Sequence, residues 1–314
     1  MMRALKVIAI VFTLLVFETA FSKSGACARE YAAIEAKQAE YLANPPATPL
    51  RYLSKDEVTI VPLKDGKPFK YEYDGQANLW QPGLATGFEI QFKSASGEAR
   101  NVKVIGRTAR PAQIEAVTEM VAKLPADTLE ATKLVEIQTF VQNNGTGGYA
   151  IKRGFVVLPD GAHQGLVHHE FGHNLAEMIW GGPHPYVGWE KAFTADGSKF
   201  VSGYAERNFK QWKYAEDFAE AVMSYLHNAQ EFRAAFPNRA ALLDTIFRDE
   251  ALWRPIRDHN NTVIARALRL ARRDPAMTSL ILIGTAATGG VIAAVNLLPE
   301  SEFKLPPIPQ ENPR

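Results

Sequence analysis

The sequence predicts an α+β fold, and three observations carry that prediction. Residues 51–108 hold short β-type runs (VTIVPL, FKYEY, GFEIQF, NVKVIG) separated by Asp-Gly and Ser-Gly turns. From Pro111 the apolar residues Ile114, Val117, Met120, Val121 and Leu124 recur at helical spacing until Pro125. Residues 135–141 and 154–159 then read as strands around a glycine-rich turn at 143–148, and they lead into a long helical pattern rich in His and Glu.

Taken from the N-terminus, the first element is a targeting segment. Arg3 and Lys6 precede an uncharged apolar run, VIAIVFTLLVF, at residues 7–17. A basic start, a short apolar core and small residues after it read as a secretory signal, too short for a comfortable transmembrane span. Ala26-Cys27-Ala28 fits a cleavage site, which would start the mature chain at Arg29; Ala20-Phe21-Ser22 competes with it. Lipid attachment at Cys27 and an uncleaved signal anchor are the other readings. Each predicts export, to a periplasm or to the extracellular space. Residues 29–42 are rich in Ala, Glu, Lys and Gln, with Tyr31, Ile34, Tyr41 and Leu42 on one face and Gln38 interrupting it, so a weakly amphipathic helix is expected before Asn44-Pro45-Pro46.

Composition narrows the chemistry. The 314 residues are 46% hydrophobic and 22% charged, a globular balance that excludes a disordered or collagen-like chain. Lys+Arg number 35 and Asp+Glu 34, a net charge of +1, so no nucleic-acid partner is expected. Cys27 is the sole cysteine, so neither an internal disulfide nor a cysteine-based zinc site can be built. Any metal must be held by His and carboxylates.

Residues 165–177 read GLVHHEFGHNLAE and contain H-E-x-x-H. On a helix, His169 and His173 lie one turn apart on one face, and both imidazoles can reach one zinc ion. Glu170 sits beside that face, placed to take a proton from water and return it to a leaving amine. His168 has no partner histidine four residues on. Two histidines leave zinc one protein ligand short. The metzincin pattern fails at Ala176 and Ile179, where it needs Gly and His. His184 and His227 are candidates. A better one is the helix-forming stretch YAEDFAEAV at 214–222, where Glu216 and Glu220 share a face. Glu216 would bind the metal and Glu220 would accept the far N–H of a ligating histidine.

HEFGHNLAE, SGYAERN and EDFAEAVMSYL together resemble the catalytic domain of anthrax lethal factor and its relatives, over roughly residues 108–250. The resemblance implies a zincin-like zinc metallopeptidase domain: a small mixed sheet with two metal-bearing helices. It implies Zn2+ on His169, His173 and Glu216, with Glu170 as general base and acid and Glu220 behind a ligating histidine. Tyr204 would stabilise the tetrahedral oxyanion. The family tyrosine usually lies closer to the ligand glutamate than Tyr204 does, which makes Tyr214 a rival. The substrate would be a peptide or protein, bound as an added strand beside residues 154–159.

Residues 277–298 are uncharged and apolar, long enough to cross a bilayer, and form a candidate membrane segment; a buried helical pair competes with that reading. The expected organisation is a signal peptide at 1–28, a helix and β-rich region at 29–107, the catalytic domain at 108–255, C-terminal helices at 256–298 and a disordered, proline-rich tail at 299–314. The function expected is exported zinc-dependent endopeptidase. The alternatives are a catalytically silent zincin-fold binding module, and a membrane-tethered interaction protein with a fortuitous H-E-x-x-H.

Overall fold

The computed structural model describes residues 28–260, apart from position 49 and the segments 64–66, 74–75, 81–84, 95–96, 107–108, 140–147, 152–153 and 181–187. The signal segment with Cys27, His184, the apolar stretch 277–298 and the tail therefore lie outside the described residues. Among the described residues no helix is long and apolar enough to cross a membrane.

Helix α1 (Ala28–Ala43) is followed by strands β1 (Val58–Pro62), β2 (Phe69–Tyr73), β3 (Gln76–Trp80), β4 (Gly87–Lys93) and β5 (Ala99–Gly106). Helices α2 (Pro111–Ala122) and α3 (Ala126–Glu130) precede β6 (Leu134–Gln138), β7 (Tyr149–Ile151) and β8 (Phe155–Pro159). The remainder is helical: α4 (Gln164–Trp180), α5 (Trp189–Ala195), α6 (Gly203–Trp212), α7 (Ala215–His227), α8 (Ala229–Ala235), α9 (Pro237–Arg248) and α10 (Glu250–Asn260). The α+β class is observed, with a mixed sheet.

That sheet has six strands in the order β1-β4-β5-β6-β8-β7. β1, β4 and β5 pair antiparallel, β5, β6 and β8 pair in parallel, and β7 returns antiparallel to β8. The β5–β6 pairing carries the sheet across residues 107–108, where a boundary was expected. β2 and β3 form a separate hairpin. The central strands alternate between two buried faces, as parallel strands do. Val135 and Ile137 on β6, with Val156 and Leu158 on β8, point into a core shared with α2, α3 and the first half of α4. Phe155 and Val157 point to the other face, which Trp80 of the hairpin helps to cover.

Helix α4 joins two cores. Val167 and Phe171 are buried against the sheet, while Leu175, Ala176 and Ile179 enter a helical core with Phe218, Ala221 and Val222 of α7. Ile34 of α1 lies in that helical core too, 2% exposed. The polar break in its apolar face is explained by a tertiary bond: Gln38 Nε2 donates to the Asn238 carbonyl at 3.0 Å.

One expectation is corrected. Residues 154–159 cannot receive an added strand, because β8 is already paired on both sides, with β6 and with β7. The outer strand at this end is β7, only three residues long.

Candidate metal centre

The centre sits where α4 packs on α7. A Cβ added to Gly172 would lie 3.1 Å from Ala219 Cα and 3.2 Å from Val222 Cβ, so glycine at the middle of α4 lets the two backbones approach. With the helices this close, residues one turn apart on each face each other: His169 and His173 from α4, Glu216 and Glu220 from α7.

Three atoms converge. His169 Nε2 and His173 Nε2 are 3.2 Å apart. Glu216 Oε2 lies 3.3 Å from the first and 3.5 Å from the second. These residues form a group able to hold a metal ion. On the far side of the first imidazole, Glu220 Oε1 is 2.9 Å from His169 Nδ1. In the neutral ring that contact places the proton on Nδ1 and leaves Nε2 its lone pair.

The electrostatics favour positive charge at this point. Burial opposes an imidazolium at His169, but the carboxylates of Glu216 and Glu220 outweigh it and raise the group to about 10. Burial likewise opposes charge on Glu216, and the two imidazoles outweigh it, holding the carboxyl down at about 2. Glu220 is also lowered: burial opposes this, and hydrogen bonds from His169 and Ser202 prevail. A proton on His169 and a metal ion are alternative ways to neutralise these carboxylates, since a ligating imidazole must be deprotonated. The donor set fits a cation. Glu216 Oε2 is buried without a hydrogen-bond partner among the described residues, facing two imidazole nitrogens. With the imidazoles deprotonated, three lone pairs meet here, and a cation placed between them takes over the stabilisation that the His169 proton otherwise supplies.

Glu170 is buried beside the group, and burial raises its carboxyl, only partly offset by His173 and His169. The backbone N–H of Ala150, on β7, donates to this carboxylate. A Cβ at Gly148 would meet Glu170 Oε1 at 3.0 Å, so glycine there lets the chain entering β7 lie against the acid. The outer strand of the sheet therefore borders the centre.

Tyr204, on the first turn of α6, brings its ring centroid to 6.0 Å from that of His169. Burial, with Glu216, Glu170 and Glu220 adding, pushes its hydroxyl up to about 12. Its rival Tyr214 lies among aromatics, 5.1 Å from the Phe209 ring and 5.4 Å from Phe193. The stretch between Tyr204 and Tyr214 is accounted for as the body of α6. His168 Nε2 pairs with Gln164 Nε2 at 2.8 Å, and burial followed by His227 lowers it to about 4, outside the converging group. His227 is exposed at the end of α7 and stands outside the group as well.

Sequence reasoning missed Gly148, Gly172, Ser202 and Asp217. Gly172 had a signal: a glycine inside a helix is costly unless close packing requires it. The others become visible only through tertiary contacts. No protein-family model, no curated protein and no solved structure matches this chain, so what the centre does is read from its own residues.

Proposed function

We propose that this chain is a zinc-dependent endopeptidase with a zincin-like catalytic fold, exported by its N-terminal segment. The observation that carries this reading is the convergence of His169 Nε2, His173 Nε2 and Glu216 Oε2, with Glu220 fixing His169 and Glu170 alongside. Two imidazoles and one carboxylate are a donor set suited to zinc with a position left open. Zinc, when bound, would supply Lewis-acid polarisation of a substrate carbonyl and would acidify water towards a pKa of about 7.

The protein's own groups do the rest. Glu170, buried and raised, is a general base able to take a proton from water and deliver it to the leaving nitrogen. Tyr204 keeps its proton well above neutral pH and can donate a hydrogen bond to an oxygen that gains negative charge. β7 is the outer strand of the sheet among the described residues, and an extended peptide would lie along that side. Such a peptide would run past Glu170, because the Ala150 N–H already reaches that side chain. An extended polypeptide is the substrate class these features accommodate together. The resemblance in HEFGH and EDFAEA points the same way.

The test is metal content together with turnover of a peptide library, with and without chelator. Purified protein is expected to hold close to one zinc, to cleave peptides, and to lose cleavage on chelation. Glu216→Ala should lower zinc stoichiometry and Glu177→Ala should not. Equal zinc loss in both, or cleavage indifferent to chelator, would overturn the proposal.

A further inference from the structure

The residue after the carboxylate ligand is an aspartate with no exposed surface, Asp217. Its two oxygens take the indole N–H of Trp189 at 3.0 Å, the backbone N–H of Val201 at 2.9 Å and one nitrogen of Arg239 at 3.1 and 2.9 Å. Arg239 is equally buried. It gives a further bond to Asp196 (3.0 Å) and one to the Lys199 carbonyl (2.7 Å), and its guanidinium lies 4.2 Å from the Phe236 ring centre. Asp196 in turn accepts the backbone N–H groups of Asn238 and Arg239.

Stability alone does not explain this cluster. A buried ion pair is often no more stabilising than apolar residues of the same volume, because both charges lose their hydration. What a fully bonded cluster fixes is geometry. Here it fixes the turn 197–202, where Gly197 and Ser198 take φ of 80° and 57°. A left-handed serine is uncommon and persists when its surroundings over-determine it. Lys199 and Val201 are held at their backbones. Ser202, next in sequence, accepts the Ala205 N–H to cap α6 and hydrogen-bonds Glu220. Tyr204 follows two residues later.

We propose that Asp217 is a positioning residue for the metal centre: through Val201 and Arg239 it locks the first turn of α7, which carries Glu216, to the turn that launches α6 and Tyr204. This rests on the metal-binding reading above. One carboxylate thus sets a ligand and the oxyanion donor in a single register, and the Ser202–Glu220 bond extends that register to His169.

Cobalt(II) titration of the full chain tests it, because the visible bands of bound cobalt report ligand geometry independently of turnover. Asp217→Asn keeps the shape and turns an amide against the guanidinium. It should bind cobalt at least about tenfold more weakly than wild type, with altered bands, while remaining folded by circular dichroism. Leu243→Ala, a cavity in the same helical core, should lower the melting temperature and leave the cobalt spectrum as in wild type. Ser202→Ala removes a half-buried hydroxyl and no charge, so it decides the matter should Asp217→Asn not fold: it too should change the bands and weaken binding. A folded Asp217→Asn with wild-type affinity and bands, or an unchanged Ser202→Ala, overturns the positioning role alone. Failure of the wild type to bind cobalt or zinc overturns the metal-binding reading and this inference with it.

Discussion

Gly172 of α4 and Ala219 of α7 meet backbone to backbone: a methyl group on the glycine would stand 3.1 Å from Ala219 Cα. The distance between the His pair and the Glu pair is set by that contact. In Gly172→Ala two effects oppose. Alanine favours the helix by about 1 kcal/mol, and overpacking against a backbone atom costs about 1–3 kcal/mol. Net stability should fall by about 0–2 kcal/mol, while the helices part by a few tenths of an ångström. Zinc affinity, measured by competition with a chelating dye, should fall about tenfold. Undiminished affinity would show that the contact does not set the ligand spacing.

Glu170→Gln separates binding from chemistry. The amide is isosteric and Glu170 is not among the converging ligands, so zinc content should stay at the wild-type level. Peptide hydrolysis should fall by about a thousandfold, as expected when a general base is lost. Wild-type rates in this variant would rule out Glu170 as the base.

Tyr204→Phe addresses the hydroxyl proposed as oxyanion donor. The tyrosine is no ligand in this arrangement, and its ring edge would still pack near His169. Turnover should drop about a hundredfold with KM nearly constant and zinc retained, the pattern of an interaction made mainly in the transition state. A raised KM with unchanged kcat would instead assign the side chain to substrate binding.

Away from the centre, Asp127 on α3 governs a pH-dependent part of stability. Burial, with Glu250 and Glu130 adding, raises its carboxyl to about 7 against the pull of Arg257 and Arg51. A carboxyl raised in the folded state binds its proton more tightly there than in the unfolded chain. Stability should therefore decline as pH rises from about 4 to about 7, and level off above. Asp127→Asn should match wild type near pH 4 and melt a few degrees higher at pH 8. A melting-temperature difference that stays constant across this range would contradict the assignment.

The sequence was most legible where the candidate site follows helical period. His169 and His173, and then Glu216 and Glu220, are four residues apart, and a helix places such pairs on one face whatever surrounds it. The α+β class and α1 were readable for the same reason. Strand order was not. β5 and β6 are joined in parallel through two helices, and nothing local to either run announces that pairing. β7, at three residues, is too short to show alternation, so β8 was read as an outer strand of the sheet when it is an inner one. Asp217, Asp196 and Arg239 are 21 to 43 positions apart and look like ordinary surface charges until the fold closes over them.

The burial of Ile34 has a bearing on how far the chain can be shortened. α1 is built into the scaffold: its isoleucine packs in the core shared by α4 and α7, a burial worth about 1.5–3 kcal/mol. Tyr41 fastens the other end of the helix to Asp249 through a 2.6 Å hydrogen bond. Proteolytic trimming that reached into α1 would loosen the scaffold under the centre rather than unmask it. A truncation that leaves the fold intact is therefore expected to end upstream of this helix.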